Sequence, residues 1–262
     1  MVHHGTVTAE RRDGLIASLR AAGCVFAEDE ADLLLSAEVS ELVLADLVRR
    51  RIAGQPLEYL LGWAEFAGLR IIVEPGVFVP RRRTELMATV ARDRLHDGGI
   101  LLDLCCGTGA VAAAVSAAVE NVQVFAADCD PAAVRCARQN LSAAVVFEGD
   151  LFEPLPSVLR RRVDVLVANA PYVPTDSITL MPPEARLHEA PVALNGGPDG
   201  LDVLRRVVAG AGAWLTSTGI VLVEAGETQL PTLTAFAEAQ GFHSVVHTDD
   251  EIGAIVVELR RS

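Results

Sequence analysis

The strongest constraint on the fold of this chain is an apolar run that leads through a glycine-containing loop into a helix. Residues 100–104 (ILLDL) are typical of a buried strand in a parallel sheet. The loop 105–109 (CCGTG) follows, and the alanine-rich segment 110–115 predicts a helix start. Glycines let the backbone approach a ligand closely, and a helix amino terminus offers unpaired N–H groups to an anion. The segment therefore predicts either a ligand-binding loop or a plain strand-to-helix turn.

From Gly99 onward, predicted strands and helices alternate along the chain. Alternation of this kind predicts an α/β fold with a doubly wound parallel sheet. The last two predicted strands have no helix between them, which favours antiparallel pairing. Besides 100–104, the predicted strands lie at 122–127, 163–168, 220–224, 244–248 and 254–259, and the later helices at 201–214 and 229–240.

A second signal follows the strand at 163–168. Asn169, Ala170, Pro171 and Tyr172 come directly after it, where open α/β sheets bind their ligands. Asn169 offers a carbonyl acceptor, and Pro171 biases Ala170 toward an extended conformation whose carbonyl can face a site. Tyr172 offers a flat aromatic face. Two acceptors and an aromatic wall suit a planar NH2 group, either an amide or a nucleobase amine, and the alternative is a strand-ending turn.

The strand at 122–127 ends at Asp128, a carboxylate placed to bind ribose hydroxyls. The loop also fits the G-x-G-x-x-G/A dinucleotide pattern at 107–112, so a nicotinamide dehydrogenase is a competing interpretation. Because Asp128 and Asn169 both follow strand ends, a nucleoside-cofactor site is favoured over a structural turn.

These residues resemble the HemK/PrmC family, the S-adenosylmethionine-dependent methyltransferases of the glutamine in peptide-chain release factors. The resemblance covers nearly the whole sequence. Residues 169–172 (NAPY) match the family's Asn-Pro-Pro-Tyr signature. Residues 50–62 (RRIAGQPLEYLLG) resemble the segment that joins its helical and catalytic domains, and 193–201 (ALNGGPDGL) resemble its distinctive downstream segment.

The resemblance implies a Rossmann-like class I methyltransferase domain with a mostly parallel twisted sheet and an antiparallel last strand, preceded by a small helical domain. It divides the chain into a helical substrate-binding domain at 1–62, a linker hairpin at 63–80 and the methyltransferase domain at 81–262. The residues themselves predict helices up to about Gly54, and a hairpin from 65 to 79 that turns at Pro75-Gly76.

The resemblance also implies which residues form the site. Asn169, Ala170 and Tyr172 are the expected catalytic residues, and with Pro171 they bind the glutamine amide. The expected cofactor is S-adenosylmethionine. Its expected binding residues are Asp103, Cys105, Cys106, Gly107, Thr108, Gly109, Asp128, Asp150, Leu151 and Asn169.

The sequence departs from the family pattern in three places, which involve four residues. Ala170 stands where a proline is usual, which keeps the carbonyl acceptor but frees one torsion, and Cys105 replaces the first glycine of the loop. Arg82 and Arg83 replace a Pro-Glu pair and create the cluster Arg81-Arg82-Arg83. The first two changes preserve the expected chemistry, whereas the arginines either alter substrate choice or are simply solvated.

Composition limits the partners. The formal net charge of −13 disfavours broad nucleic-acid binding and favours a basic protein partner. Three arginine triplets, 49–51, 81–83 and 160–162, are candidate local basic patches, and solvated charge is the favoured interpretation for the last. The five cysteines and six histidines have no metal-ligand spacing, so we expect no metal site. Cys106 is expected to be a small buried cysteine and not a nucleophile. The start at residues 1–6 lacks the features of a secretory signal, and no apolar run could span a membrane, so we expect a cytoplasmic protein. We also expect it to be a monomer.

Two other functions stay open on the sequence alone. A nucleic-acid amino methyltransferase could use the same fold and a similar Asn-Pro-aromatic turn on a flipped base. A catalytically silent paralogue could keep the fold and bind a partner through its helical domain.

Overall fold

The structure, a computed structural model, describes residues 9–261. The expected absence of a secretory signal at residues 1–6 concerns residues outside this range. Among residues 9–261, none of the helices combines the length and the apolar composition that crossing a membrane requires.

The amino-terminal part is helical, as the sequence predicts. Gly23 and Gly54 both have a φ of 93°, a left-handed conformation that ends a helix readily in glycine. The Ser40 side chain caps the third helix by accepting a hydrogen bond from the Val43 amide. Apolar residues of these helices form a core of their own, which includes the buried Leu19. The helices are α1 Ala9–Ala21, α2 Ala27–Ser36, α3 Glu41–Ile52 and α4 Leu57–Leu61.

A short hairpin follows, formed by β1 Trp63–Phe66 and β2 Leu69–Ile72. The prediction that this hairpin runs to residue 79 and turns at Pro75-Gly76 is wrong. The chain turns at Ala67-Gly68, where both residues have positive φ, the conformation that fits two-residue hairpin turns. The 74–77 segment forms a separate turn closed by the Val77 amide and the Glu74 carbonyl.

The rest of the chain forms a seven-stranded sheet in the order β5-β4-β3-β6-β7-β9-β8. Its neighbours pair in parallel except at β9, the last strand in the chain, which runs antiparallel to both β7 and β8. This confirms the predicted architecture. The strands are β3 Ile100–Leu104, β4 Gln123–Asp128, β5 Val145–Glu148, β6 Val163–Ala168, β7 Leu215–Glu224, β8 Phe242–Asp249 and β9 Ala254–Arg261. The helices are α5 Glu85–Arg94, α6 Ala110–Ala118, α7 Pro131–Asn140, α8 Pro183–His188, α9 Pro191–Leu194, α10 Asp202–Ala211 and α11 Leu230–Ala239.

Apolar residues cover the sheet on both faces. One core includes α10 and α11, and the other includes α5, α6 and α7. Burial on both faces explains why β3 and β6 are continuous apolar runs rather than alternating ones. β7 starts five residues before the predicted strand because it continues past an irregularity in its pairing with β6 to reach Val163.

Strand register sets the position of the site. Leu104 pairs with both Ala127 and Ala168, and Ala168 pairs with Val223. The residues that follow, including Asp128 and Asn169, therefore lie side by side at the carboxyl edge of the sheet.

Candidate active site at the carboxyl edge of the sheet

A cavity of about 330 Å³ opens at this edge. Loops after β3, β4, β5 and β6 contribute to its walls, and Phe66 and Phe78 add apolar surface from the segment before the sheet. Most of the sequence-predicted site residues line it together. They are Asp103, Cys105, Cys106, Gly107, Thr108, Asp128, Asp150, Leu151, Asn169 and Pro171.

Three predicted site residues are not part of that lining. Gly109 starts α6 with a φ of 76°, and a Cβ there would meet the Leu141 side chain at 2.7 Å, so this glycine serves close packing. Ala170 is 1% exposed and its side chain belongs to the sheet core. Tyr172 lines a neighbouring cavity, and its hydroxyl donates to the Glu224 carboxylate at 2.8 Å.

Asp128 holds the glycine loop in place. One of its oxygens accepts the Gly107 amide and the other accepts the Asp130 amide, each at 2.9 Å. A carboxylate has about four acceptor positions, so capacity remains for ligand hydroxyls. Burial raises the pKa of Asp128 despite these hydrogen bonds.

Asp103 is a buried carboxyl that has one unpaired oxygen. Its Oδ2 atom accepts no hydrogen bond from the residues that the structure describes. Burial, with a smaller contribution from the nearby Asp128 carboxylate, raises the pKa of Asp103 to about 8. Because Asp103 lines the cavity, a ligand with a cationic group would supply the missing partner.

The loop cysteines are not activated nucleophiles. Burial, followed by the nearby carboxylates, raises the pKa of both Cys105 and Cys106 well above that of an ordinary thiol. Both side chains stay protonated at neutral pH, whereas a nucleophilic cysteine acts as thiolate. All five cysteines are free. Within residues 9–261 there is no group of three potential metal ligands.

The Asn169 side chain has a defined hydrogen bond. Its Nδ2 atom donates to the Thr84 hydroxyl at 3.3 Å, and both residues line the cavity. The carbonyl oxygen of Asn169 is therefore the amide atom left for a ligand.

Sequence reasoning missed the roles of Thr84 and Glu224. Thr84 Oγ1 donates to Glu224 Oε2 at 2.7 Å, and Glu224 ends β7 next to the Asn169 strand. A charged residue at the carboxyl end of an otherwise apolar strand was the signal that could have found Glu224. Thr84 had no comparable signal, because its contact depends on a fold that joins positions 140 residues apart.

Two of the three arginine triplets, 49–51 and 81–83, have members that are paired with carboxylates, whereas Arg160, Arg161 and Arg162 are all exposed. Arg81 pairs with the buried Glu189 at 2.5 Å, and Arg83 pairs with Glu224 at 2.8 Å, while Arg82 is exposed. Arg51 is buried between Glu30 and Glu184. Buried carboxylates need such partners, so these arginines are used inside the protein.

Fold and site together define a class of enzyme. A seven-stranded sheet with one antiparallel strand, a glycine loop after β3 and an acid at the end of β4 is the arrangement of class I S-adenosylmethionine-dependent methyltransferases. The family described as "Methyltransferase small domain" matches residues 68–199. A solved methyltransferase from Pyrococcus furiosus has the same fold, with a TM-score of 0.54 over 82% of this chain and 96% of that one at 16% identity.

Curated relatives identify the particular family. A release factor glutamine methyltransferase of Geobacter sulfurreducens is 36% identical over 79% of this chain and 73% of its own length. One from Mycolicibacterium smegmatis is 35% identical over 90% of this chain and 91% of its own. A 4-amino-L-phenylalanine/4-methylamino-L-phenylalanine methyltransferase of Streptomyces pristinaespiralis is 33% identical over 90% and 82%. This chain belongs to the release factor glutamine methyltransferase family.

Membership in this family identifies the cofactor. The methyl donor is S-adenosylmethionine, and the nicotinamide dinucleotide interpretation of the loop is not supported. The residues present fit this group. The Asp103 carboxyl, with its unpaired oxygen, suits the cationic amino-acid end, and Asp128 keeps acceptor capacity for ribose hydroxyls.

Proposed function

We propose that this enzyme methylates the side-chain amide nitrogen of a glutamine in a peptide-chain release factor. The observation that carries the proposal is Asn169, whose Nδ2 is bound to Thr84 so that its Oδ1 is available to a substrate N–H in the same cavity as the cofactor residues. The names of the relatives from Geobacter and Mycolicibacterium support this substrate.

The cofactor-binding roles extend this proposal. Asp103 and the loop 105–109 would hold the amino-acid end, Asp128 the ribose, and Asp150 with Leu151 the adenine side. When bound, S-adenosylmethionine supplies a methyl group activated by a positively charged sulfur.

The chain's own residues would then position a weak nucleophile. An amide nitrogen is a poor nucleophile because its lone pair is delocalised into the carbonyl. Asn169 Oδ1 and the Ala170 carbonyl would each accept one N–H of the substrate, which holds the nitrogen in place and favours positive charge as it develops there. No strong base is needed before attack, since the proton can leave afterwards.

The helical region would serve as the substrate-binding domain, with residues 1–62 docking the partner protein. A net charge of −13 supports a basic partner and argues against stable nucleic-acid binding. We infer a cytoplasmic monomer that acts on the translation machinery. Arg81 and Arg83 are both paired with glutamates, whereas Arg82 is exposed. Arg82 is therefore the arginine of this cluster that we expect to contact a partner.

The test is methyl transfer from labelled S-adenosylmethionine to a purified release factor, with wild type and Asn169→Ala at saturating cofactor. We expect the variant to lose on the order of a hundredfold or more in turnover, because one of two acceptors for the amide is lost. Its cofactor affinity should stay within a few-fold of wild type. Equal turnover would mean that Asn169 does not act on the substrate. Label in nuclease-sensitive material instead of protein would favour the nucleic-acid alternative.

A second candidate is methylation of an aromatic amine on a free amino acid. The Streptomyces pristinaespiralis relative, which aligns over nearly the whole chain, supports it. An aromatic amine is also a planar NH2 group, which two acceptors and an aromatic wall would suit. Offering 4-amino-L-phenylalanine and the release factor in parallel reactions separates the two, because the catalytic efficiency should favour one acceptor by orders of magnitude.

A further inference from the structure

Asn169 is connected to the end of β7 through two buried residues. Its Nδ2 donates to the Thr84 hydroxyl, and Thr84 donates in turn to Glu224. Thr84 and Glu224 are each 2% exposed. Glu224 also accepts hydrogen bonds from Arg83 Nε and the Tyr172 hydroxyl, both at 2.8 Å.

The direction of these hydrogen bonds is fixed by the number of protons available. A threonine hydroxyl has one proton to donate, and an ionised carboxylate can only accept. Since Thr84 gives its proton to Glu224, its oxygen is left to accept from Asn169. The Asn169 amide must then turn Nδ2 toward Thr84 and Oδ1 toward the cavity.

We propose that Thr84 and Glu224 are positioning residues that set the amide orientation of Asn169. The inference rests on the proposed role of Asn169 as the acceptor of a substrate N–H. In the opposite orientation, Asn169 would present an NH2 group to the substrate NH2, so two donors would face each other. That arrangement would neither hold the nucleophile nor favour positive charge on it.

The local structure supports a positioning role. Thr84 ends the short helical turn Arg82–Thr84 immediately before α5, so the backbone of the preceding turn fixes where its hydroxyl lies. Glu224 has Arg83 and Tyr172 as partners independently of Thr84. Both of these partners donate to Oε1, whereas Thr84 donates to Oε2. The Thr84 hydroxyl therefore joins the second oxygen of the buried carboxylate to Asn169.

The first test removes the hydroxyl without changing side-chain volume. Thr84→Val should lower kcat by about tenfold or more, since the Asn169 amide loses its fixed orientation, while KM changes less. Cofactor affinity, measured by calorimetry with S-adenosylhomocysteine, should stay within a few-fold. Thr84→Ser restores the hydroxyl and should recover most of the kcat. Thr89→Val, an exposed threonine on α5, is the matched control and should leave kcat unchanged.

The second test reverses the direction of the hydrogen bonds. In Glu224→Gln, the new side-chain amide can donate a hydrogen bond to the Thr84 oxygen. The Thr84 hydroxyl proton is then free to point at Asn169. Asn169 must accept that proton with Oδ1, so its Nδ2 turns toward the cavity. We expect a larger loss of kcat than in Thr84→Val. This reversal requires the Thr84 hydroxyl. The fold-loss of kcat in the double variant, Thr84→Val with Glu224→Gln, should therefore be smaller than the product of the fold-losses in the two single variants.

A third measurement does not depend on the methyl acceptor. In wild type, one Nδ2 proton of Asn169 should exchange slowly with solvent by NMR, and Thr84→Val should speed its exchange about tenfold, with Thr84→Ser close to wild type. Unchanged kcat and exchange in Thr84→Val would overturn the proposal, as would a loss that Thr84→Ser fails to recover. Wild type could fail to methylate a release factor while the exchange of the Asn169 Nδ2 proton still depends on the hydroxyl of residue 84. That result would contradict the proposed substrate and support the role of Thr84 in orienting Asn169.

Discussion

At the scale of single residues, the buried Asp103 and the half-buried Asp128 differ in their hydrogen-bond partners. Asp128 accepts two backbone amides, whereas Asp103 Oδ2 accepts no hydrogen bond from the described residues. A carboxyl with a raised pKa favours its neutral form until a cation arrives. Asp103 is thus neutral over much of the physiological pH range in the free protein, and we infer that a bound cationic group ionises it.

This difference predicts a pH-dependent affinity for the cofactor product. The pKa of Asp103 is about 8, so the free protein must release a proton before Asp103 can pair with the ammonium group of S-adenosylhomocysteine. Affinity should therefore rise on the order of tenfold between about pH 6 and pH 7.5, and flatten as pH approaches 8. Asp103→Asn should bind more weakly at pH 7.5 and show a much smaller slope.

Calorimetry in buffers of different ionisation enthalpy checks the mechanism directly. Wild type should release close to one proton on binding near neutral pH, and Asp103→Asn should release far less. Parallel slopes in the two proteins would show that another group causes the pH dependence.

At the scale of elements, the sequence predicts best what depends on local pattern. Apolar runs located β3 and β6 to the residue, and polar residues after strand ends located Asp128 and Asn169 in one site. Register explains this success, because the carboxyl ends of neighbouring parallel strands must meet at one edge.

The parts that sequence could not predict depend on tertiary contacts. The link from Thr84 to Glu224 joins positions 140 residues apart, and Arg51 reaches Glu184 across 133 residues. The hairpin was predicted incorrectly because Pro75-Gly76 is a strong turn signal, whereas Ala67 takes a positive φ that alanine rarely adopts. No sequence pattern marks an arginine as internal before its buried carboxylate partner is known.

The ion pairs of Arg51 connect the helical region to the methyltransferase part of the chain. Arg51 contacts Glu30 of α2 at 2.6 Å and Glu184 of α8 at 2.7 Å, and its side chain is 5% exposed. Arg51→Met should lower the free energy of unfolding by about 3–5 kcal/mol, because the buried Glu30 loses its partner. Urea unfolding followed by circular dichroism measures the change.

Two further variants identify the cause of that loss. Arg49→Met, whose side chain is 74% exposed, should cost less than about 0.5 kcal/mol. Adding Glu30→Met to Arg51→Met should recover much of the stability, since the remaining partner of Arg51, Glu184, is half exposed and can be solvated. An Arg51→Met protein as stable as Arg49→Met would contradict the buried ion pair.

At the scale of the whole molecule, the buried glutamates of this acidic protein lie next to arginines. Glu30, Glu189, Glu224 and Glu258 are all buried, and each pairs with at least one arginine, in most cases from a distant part of the chain. These pairs join α2 to α3, the segment before α5 to the residue after α8 and to the end of β7, and α5 to β9. Asp103 is the contrast, because within residues 9–261 no arginine pairs with its carboxyl, and we infer that a bound ligand supplies the cationic partner.

The ion pairs of Glu258 should make the stability of the fold depend on pH in the acidic range. Glu258 is 0% exposed on β9 and accepts hydrogen bonds from Arg94, Arg260 and His247. Burial opposes its charge, but these partners outweigh burial and lower the pKa from 4.5 to about 2. A lowered pKa in the folded protein means that the charged form stabilises the fold above about pH 4.5, and that this contribution is lost as pH falls toward 2.

Glu258→Gln should therefore destabilise the protein by about 2–3 kcal/mol at neutral pH, and the gap from wild type should narrow by about 1 kcal/mol by about pH 3.5. Urea unfolding at a series of pH values measures the gap. Glu251→Gln, at an exposed position in the β8–β9 turn, is the control and should track wild type to within about 0.5 kcal/mol. A Glu258→Gln gap that stays constant down to about pH 3.5 would mean that Glu258 stabilises the sheet through its shape and not through its charge.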